Sequence, residues 1–273
     1  MLTQDTTPEI IFKAAKKGIK FVKFIPVGTS TGAVKGLRLD DSDKLYKIFP
    51  AIEETGMYLP LHAELMSFIN GKAIHLQDRE EAAISIVFAF HKHFPKMKIT
   101  IEHVSTAKMI NFVQSQDSAN VRATLTPQHA LLTYSDVFDH NDHLINPYNY
   151  CLPVAKKEID RQAVIAAMVS GDERFFAGAD SAPHWAKLKA GDNPPAGIFF
   201  EPAEFPLWVK IFESKSALHR LENFTSRFGA EYYGYPLNSG TITLVQEEWE
   251  LPIIENGIRY CKGGEIIRWK VVE

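Results

Sequence analysis

The chain has 273 residues, of which 45% are hydrophobic and 23% are charged, a composition typical of a globular protein with one large core. Its formal net charge of -3 argues against a broad basic surface for nucleic acid and a polybasic segment for a membrane surface. Small-molecule partners are therefore expected. Two cysteines, Cys151 and Cys261, are too few for a disulfide framework, so we expect a cytoplasmic protein.

Strands and helices alternate along most of the chain. Thr7-Pro8-Glu9 is a helix-start signature, a β-rich segment covers Ile19 to Pro26, and Ser42 is expected to cap a helix that runs to about Thr55. Further strands are predicted at 57–65, 98–104, 120–129, 149–154 and 174–184, and further helices at 77–94, 106–116, 158–172 and 205–229. The remaining tail predicts a hairpin that turns at Gly263-Gly264.

This alternation predicts parallel strands joined by helical crossovers, either in a doubly wound sheet or in a (β/α) barrel. No GxGxxG or GxxxxGK[ST] motif follows a strand, which makes a nucleotide-binding sheet less favoured. A closed TIM-type barrel needs eight strands, whereas about six are predicted here. We therefore expect an α/β fold of the TIM-barrel kind, incomplete, with a C-terminal tail and with residues 1–273 in a single domain.

Polar side chains stand near the carboxyl ends of the predicted strands. They are Lys23, His62, His103, Asp180 and His184. In a (β/α) barrel these strand ends converge on one face, where active sites are built. Imidazole and carboxylate are good zinc ligands, and a carboxylated lysine can bridge two metal ions. The set predicts metal-assisted hydrolysis.

Each of these residues also has an ordinary structural interpretation. His62 could be a hydrogen-bonded core histidine, and Lys23 could extend its amine to solvent along an apolar surface. Asp180 could cap the next turn through Ser181. Repetition at successive strand ends favours one shared site over four coincidences.

Six short motifs occur in a characteristic order: FVKFIP, LPLHAE, TIEHVST, ATLTPQH, YCLPVAK and GADSAPH. As a set they resemble dihydroorotase, the single-function bacterial type of the amidohydrolase superfamily, and the resemblance covers essentially the whole chain. It implies a metal-dependent amidohydrolase barrel, a homodimer, and interconversion of N-carbamoyl-L-aspartate and L-dihydroorotate in pyrimidine biosynthesis.

The resemblance also implies a role for each metal-site residue. Lys23 matches the carboxylated lysine that bridges two zinc ions, and His62 and His103 match the two histidines on the more exposed ion. Asp180 matches a metal-bound aspartate that takes a proton from the bridging hydroxide and passes it to the leaving amide nitrogen.

The substrate-binding residues follow from the same resemblance. His184 and the backbone near Ala196 match groups that hold the substrate carboxylate, and the backbone of Leu152 matches a contact to the pyrimidine ring. Ser30 and Thr31 match a loop that closes over the substrate, in which the family typically has two threonines.

One part of the family pattern is absent. The family opens with a strand that carries His-x-His and a nearby Arg, and its next strand region brings an Asn, whereas this chain is truncated relative to that pattern. Lys23 and Asp180 alone would then hold the buried metal, so we expect partial occupancy there. The absent ligands leave one alternative, a catalytically impaired pseudoenzyme or assembly subunit of dihydroorotase ancestry. An amidohydrolase for another cyclic amide is a third option, disfavoured because YCLP and GADSAPH match the dihydroorotase pattern closely.

Overall fold

The computed structural model describes residues 1–30, 33–68, 70–117 and 119–272. They form two compact units, Met1–Thr124 and Leu125–Glu273. The single domain expected over residues 1–273 stays a prediction. Among the described residues, no helix combines the length and the apolar character needed to cross a membrane.

The first unit is built from alternating helices and parallel strands. Its elements are α1 (Pro8–Lys16), α2 (Ser42–Thr55), β1 (Tyr58–Leu61), α3 (Arg79–His93), β2 (Lys98–Ile101), α4 (Ala107–Ser115) and β3 (Val121–Leu125), the last of which ends at the first residue of the second unit.

The pairing of these strands determines which candidate site residues lie next to one another. β1 pairs in parallel with β2, and β2 pairs in parallel with β3. The predicted strand at 19–26 forms isolated parallel bridges to β1 at Phe21 and Phe24, and Val22 N and Phe24 N donate to Tyr58 O and Pro60 O at 2.9 and 2.8 Å. Every residue of β1 is buried, as is usual for a parallel strand covered on both faces. Because parallel strands end at the same edge, the residues that follow β1 and β2 are neighbours.

Side chains cap the starts of α1 and α2. Thr7 caps α1 and accepts a hydrogen bond from Ile10 N, as predicted. The expected cap of α2 is wrong by one residue, because Asp41 rather than Ser42 accepts from Lys44 N. A carboxylate at this position also interacts favourably with the positive end of the helix dipole.

A buried carboxylate joins the start of α3 to the loop after β2. Glu80 is 1% exposed and accepts hydrogen bonds from the backbone N–H and hydroxyl groups of Ser105 and Thr106, at 2.6–2.9 Å. Ser105 lies two residues after His103, so this carboxylate fixes the segment that carries a candidate metal ligand.

Replacement of this carboxylate by an amide, Glu80→Gln, is expected to lower the free energy of unfolding by about 3 kcal/mol, because an NH₂ group would face buried donors that then lack an acceptor. Urea unfolding measures this difference. Glu81→Gln is the matched control: Glu81 pairs with Lys108 at the surface, and its loss should cost under about 1 kcal/mol. Equal effects of the two substitutions would contradict the assigned role.

The second unit continues the alternation and then changes to antiparallel ribbons. Its elements are α5 (Pro127–Leu131), α6 (Glu158–Met168), β4 (Phe175–Ala177), α7 (Ala186–Lys189), α8 (Glu204–Ser214), α9 (Phe228–Tyr233), β5 (Thr243–Glu250), β6 (Ile254–Glu255), β7 (Ile258–Arg259) and β8 (Ile266–Val272). Gly178 N, just after β4, donates to Leu125 O at 3.0 Å. Phe175, Phe200 and Phe212 are fully buried in the core of this unit.

Two predicted elements of this unit are wrong. Residues 149–154 form no strand, since Pro153 has no N–H for a ladder and its carbonyl accepts from His129 Nε2 at 2.9 Å instead. The long helix predicted at 205–229 is divided, because α8 stops at Ser214 and Ser216 has a left-handed φ of 53°.

The predicted tail hairpin is also wrong in its turn. β6 and β7 pair across Asn256-Gly257, where φ is 50° and 79°. Positive φ at both central residues is what a two-residue hairpin of this twist requires. Gly263 and Gly264 instead precede β8, which pairs antiparallel with β5.

Candidate active site

The histidines that follow β1 and β2 meet in the first unit. His62 Nδ1 and His103 Nε2 are 3.1 Å apart, and the two residues are 3% and 4% exposed. Two buried imidazoles that direct ring nitrogens at one another are an arrangement suited to a shared cation. The structure thus brings together the two histidines that the resemblance to dihydroorotase assigns to one metal ion.

The backbone around His103 holds its ring in a defined position. His103 has a φ of 45°, a left-handed conformation uncommon for a residue with a side chain. Its N–H donates to Thr124 Oγ1 at 2.8 Å, and Val104 N donates to Thr124 O at 3.0 Å. An uncommon conformation secured on both sides of the turn is characteristic of a functional position.

Glu64 orients the other histidine. It is fully buried, and its Oε2 accepts a hydrogen bond from His62 Nε2 at 2.8 Å. When Nε2 carries the proton, Nδ1 keeps the lone pair that a metal ion requires. Glu64 was not predicted as a site residue, although a carboxylate two residues after a strand-end histidine is a signal for this role.

The geometry of the pair fits a metal ion. Two nitrogens bound to one tetrahedral zinc lie about 3.3 Å apart, close to the observed 3.1 Å. A carboxylate on the far nitrogen of a histidine is the usual support for such a ligand. Within the described ranges, no group of three or more His, Cys, Asp or Glu side chains is assembled as a complete set of ligands.

Lys23 lies between Phe21 and Phe24, the two residues that bridge to β1, and its amine forms an ion pair with Glu102. Glu102 was not predicted as a site residue. The side chains are 30% and 25% exposed. Carboxylation of Lys23 would turn this pair into two adjacent anionic groups, which repel each other unless cations lie close by. A carboxylated Lys23 and bound metal would therefore depend on each other.

The charge of Glu64 is open to a direct test. Glu64→Gln keeps the shape of the side chain but removes the charge that supports His62, and we expect zinc affinity to fall about 10–100-fold. Calorimetric titration with zinc measures the change. Glu54→Gln, on an exposed position of α2, should leave the affinity as it is. Unaltered zinc binding in the Glu64 variant would contradict the assignment.

The remaining predicted residues of GADSAPH lie in the second unit. Asp180 is exposed, follows β4 and has a left-handed φ of 47°. His184 Nε2 donates to Ala196 O at 3.0 Å, so the two groups predicted to hold a carboxylate are in contact. Ala182 N donates to Ile198 O at 2.8 Å and extends this connection.

Gly197 fits where a larger residue would not. Its φ is 149°, and a Cβ there would lie 2.7 Å from Ala182 O and 2.9 Å from His184 Cδ2. Its N–H donates to Tyr150 O at 3.0 Å, two residues before Leu152. This glycine allows the segments of His184, Ala196 and Leu152 to approach closely.

A backbone hydrogen bond connects the two ends of the loop that is predicted to close over a substrate. Val27 N donates to Leu37 O at 2.9 Å. Ser30 is exposed on this loop, whereas Thr31 lies outside the described residues.

Comparison with known proteins gives close relatives over nearly the whole chain, although no family model matches. The chain is 37% identical over 278 residues to the mitochondrial dihydroorotase of Arabidopsis thaliana, covering 98% of this chain and 71% of that protein. It is 38% identical to the dihydroorotase of Shewanella woodyi, covering 99% of this chain and 77% of that protein. A crystal structure of dihydroorotase from Saccharomyces cerevisiae in complex with 5-fluoroorotic acid matches with a TM-score of 0.89 and 33% identity, over 99% of this chain and 78% of that one.

Parallel strands that alternate with helices, and buried histidines at the strand ends, agree with these similarities, which place the chain in the class of metal-dependent amidohydrolases with a TIM-type barrel fold. The predicted fold class is confirmed by the similarity to solved structures of this kind. The chain belongs to the dihydroorotase family.

Proposed function

We propose that this protein interconverts L-dihydroorotate and N-carbamoyl-L-aspartate in pyrimidine biosynthesis. The observation that carries the proposal is the buried pair of His62 and His103 supported by Glu64. This donor set suits the metal-dependent hydrolysis for which the relatives are named. Descent from a catalytic family favours the enzyme over the pseudoenzyme.

Zinc, as one or two ions, would be held by His62, His103 and a carboxylated Lys23. The resemblance to dihydroorotase adds Asp180 as a further ligand. Bound zinc would polarise the scissile carbonyl and lower the pKa of water. Glu64 keeps His62 in the tautomer that can bind.

Proton transfer is the proposed task of Asp180. Hydrolysis adds the oxygen of water to the ring carbonyl carbon and breaks the carbon–nitrogen bond, which leaves a carboxylate and a ureido group. The carboxylate of Asp180 takes a proton from the attacking water and gives it to the departing nitrogen. The exposed position of Asp180 at the end of β4 is compatible with contact to an entering substrate.

Four further parts of the chain are proposed to bind and orient the substrate. His184 and the backbone at Ala196 bind the substrate carboxylate, and the backbone of Leu152 contacts the ring. Ser30 and Thr31 belong to the loop that closes over it. The direct bond from His184 to Ala196 supports a common role for these two.

Location and assembly are part of the same proposal. We propose a cytoplasmic homodimer. Cys151 and Cys261 are free thiols, as a reducing compartment would keep them. Light scattering of the purified chain at increasing concentration tests the dimer, and a monomer throughout would contradict it.

Hydrolysis of L-dihydroorotate by the purified chain with zinc and bicarbonate tests the function. Turnover is expected, is expected to disappear after chelation, and is expected to return when zinc is restored. Dihydrouracil, which has the cyclic amide but no carboxylate, is the matched substrate and should react far more slowly. Absence of turnover by a folded, zinc-loaded chain would contradict the proposal, and a preference for dihydrouracil would indicate a different cyclic amide as substrate.

A further inference from the structure

Lys189 is a buried lysine at the end of α7 that none of the proposed steps uses. It is 4% exposed, whereas Lys187 on the same helix is exposed. Lysine is rarely this deeply buried unless its amine has specific partners. The position therefore calls for an explanation that hydrophobic packing does not supply.

The amine of Lys189 binds three backbone carbonyl groups. Its Nζ donates to Tyr150 O at 2.9 Å, to Pro195 O at 2.9 Å and to Gly197 O at 2.8 Å. An ammonium group has three N–H donors, so three acceptors match it fully. Burial lowers the pKa of Lys189 to about 8, which leaves the ammonium form dominant at neutral pH.

These carbonyl groups belong to two separate segments of the second unit. Pro195 and Gly197 are the immediate neighbours of Ala196, and Tyr150 lies two residues before Leu152. The backbone bond from Gly197 N to Tyr150 O joins the same segments at 3.0 Å. Lys189 thus connects the two stretches of backbone to which the proposed function assigns substrate contacts.

We propose that Lys189 is a positioning residue that holds the backbone of Leu152 and Ala196 in the arrangement that binds substrate. This inference rests on the proposed function, because the two segments need a fixed arrangement for binding only if they contact the substrate. Hydrogen bonds to three carbonyls restrict both segments before the substrate arrives, so binding does not have to order them. Lys189 does not touch the reacting atoms, and its effect is on affinity.

Lys189→Met tests this role, because methionine fills a similar space without donors. We expect KM for L-dihydroorotate, and the dissociation constant of 5-fluoroorotic acid as a probe, to rise roughly tenfold or more with kcat within about threefold of the unmodified chain. Lys187→Met is the matched control, with the same substitution on the same helix but at an exposed position, and neither value should change.

Amide hydrogen exchange gives a readout that needs no activity. In the absence of any ligand, peptides that cover 148–153 and 194–199 should exchange faster in Lys189→Met than in Lys187→Met, while those of α8 should not. If the unmodified chain showed no turnover and no binding, the proposed function would fail while this difference still reported the connection. Equal exchange in the two variants, or an unchanged KM, would overturn the positioning role.

A milder variant covers the case in which methionine prevents folding. Lys189→Gln keeps two N–H donors on a shorter side chain and should raise KM in the same direction with kcat retained. Lys189→Arg, which keeps the charge and the donors, should restore part of the lost affinity relative to Gln. Loss of thermal stability with unchanged KM in Gln and no recovery in Arg would assign Lys189 to structure alone.

Discussion

Asp180→Asn is expected to lower kcat for L-dihydroorotate hydrolysis by about 10³-fold, with KM changed much less. Asparagine keeps the size of the side chain but cannot accept and return a proton, and general acid–base groups typically contribute 10²–10⁴-fold to a rate. Steady-state kinetics at fixed zinc content measures the change. The left-handed backbone at Asp180 tolerates asparagine better than most residues, so the substitution should leave the fold in place.

Asp192→Asn is the control for this prediction, since Asp192 is an exposed acid on a following loop. Its kinetics should match those of the unmodified chain. A loss of less than tenfold in the Asp180 variant, with zinc still bound, would remove Asp180 from the proton-transfer role.

His103→Ala is expected to weaken zinc binding more than 100-fold and to abolish measurable turnover, a larger effect than that of the supporting carboxylate Glu64. The reason is direct: the substitution deletes one of the two nitrogens that face each other in the buried pair. Zinc content after dialysis and turnover in excess zinc measure the two effects. His62→Ala should behave in the same way.

His140→Ala provides the comparison for both histidine variants, because His140 is exposed in a loop. It should retain zinc and activity. Full zinc content in the His103 variant would place the metal elsewhere.

The sequence was sufficient for the histidine pair because the relevant pattern is local. His62 and His103 each follow a short apolar strand, and adjacent parallel strands bring such residues to one edge. The sequence did not predict which side chains from distant parts of the chain contact the site residues. Glu102 next to Lys23 depends on how two segments pair, and the sequence carries no signal for that pairing.

Lys189 and the segment at 149–154 show the same limit. In the sequence, Lys189 lies two positions after Lys187 on a short helix, a pattern typical of lysines exposed to solvent. Its three carbonyl partners are visible only in the folded chain. The apolar run around Leu152 reads as a strand, yet its carbonyls are taken by side chains from elsewhere, among them His129. Tertiary contacts overrode local preference at both places.

The two cysteines provide an internal reporter of opening in the second unit. Cys151 is 2% and Cys261 is 1% exposed, so alkylating reagents do not reach either sulfur directly, and burial also raises the pKa of the Cys261 thiol to about 12. Labelling must then wait for a local fluctuation that uncovers each thiol. Cys151 lies next to Leu152. The rate at which Cys151 is alkylated in the native chain therefore measures how often the backbone proposed to bind substrate opens locally.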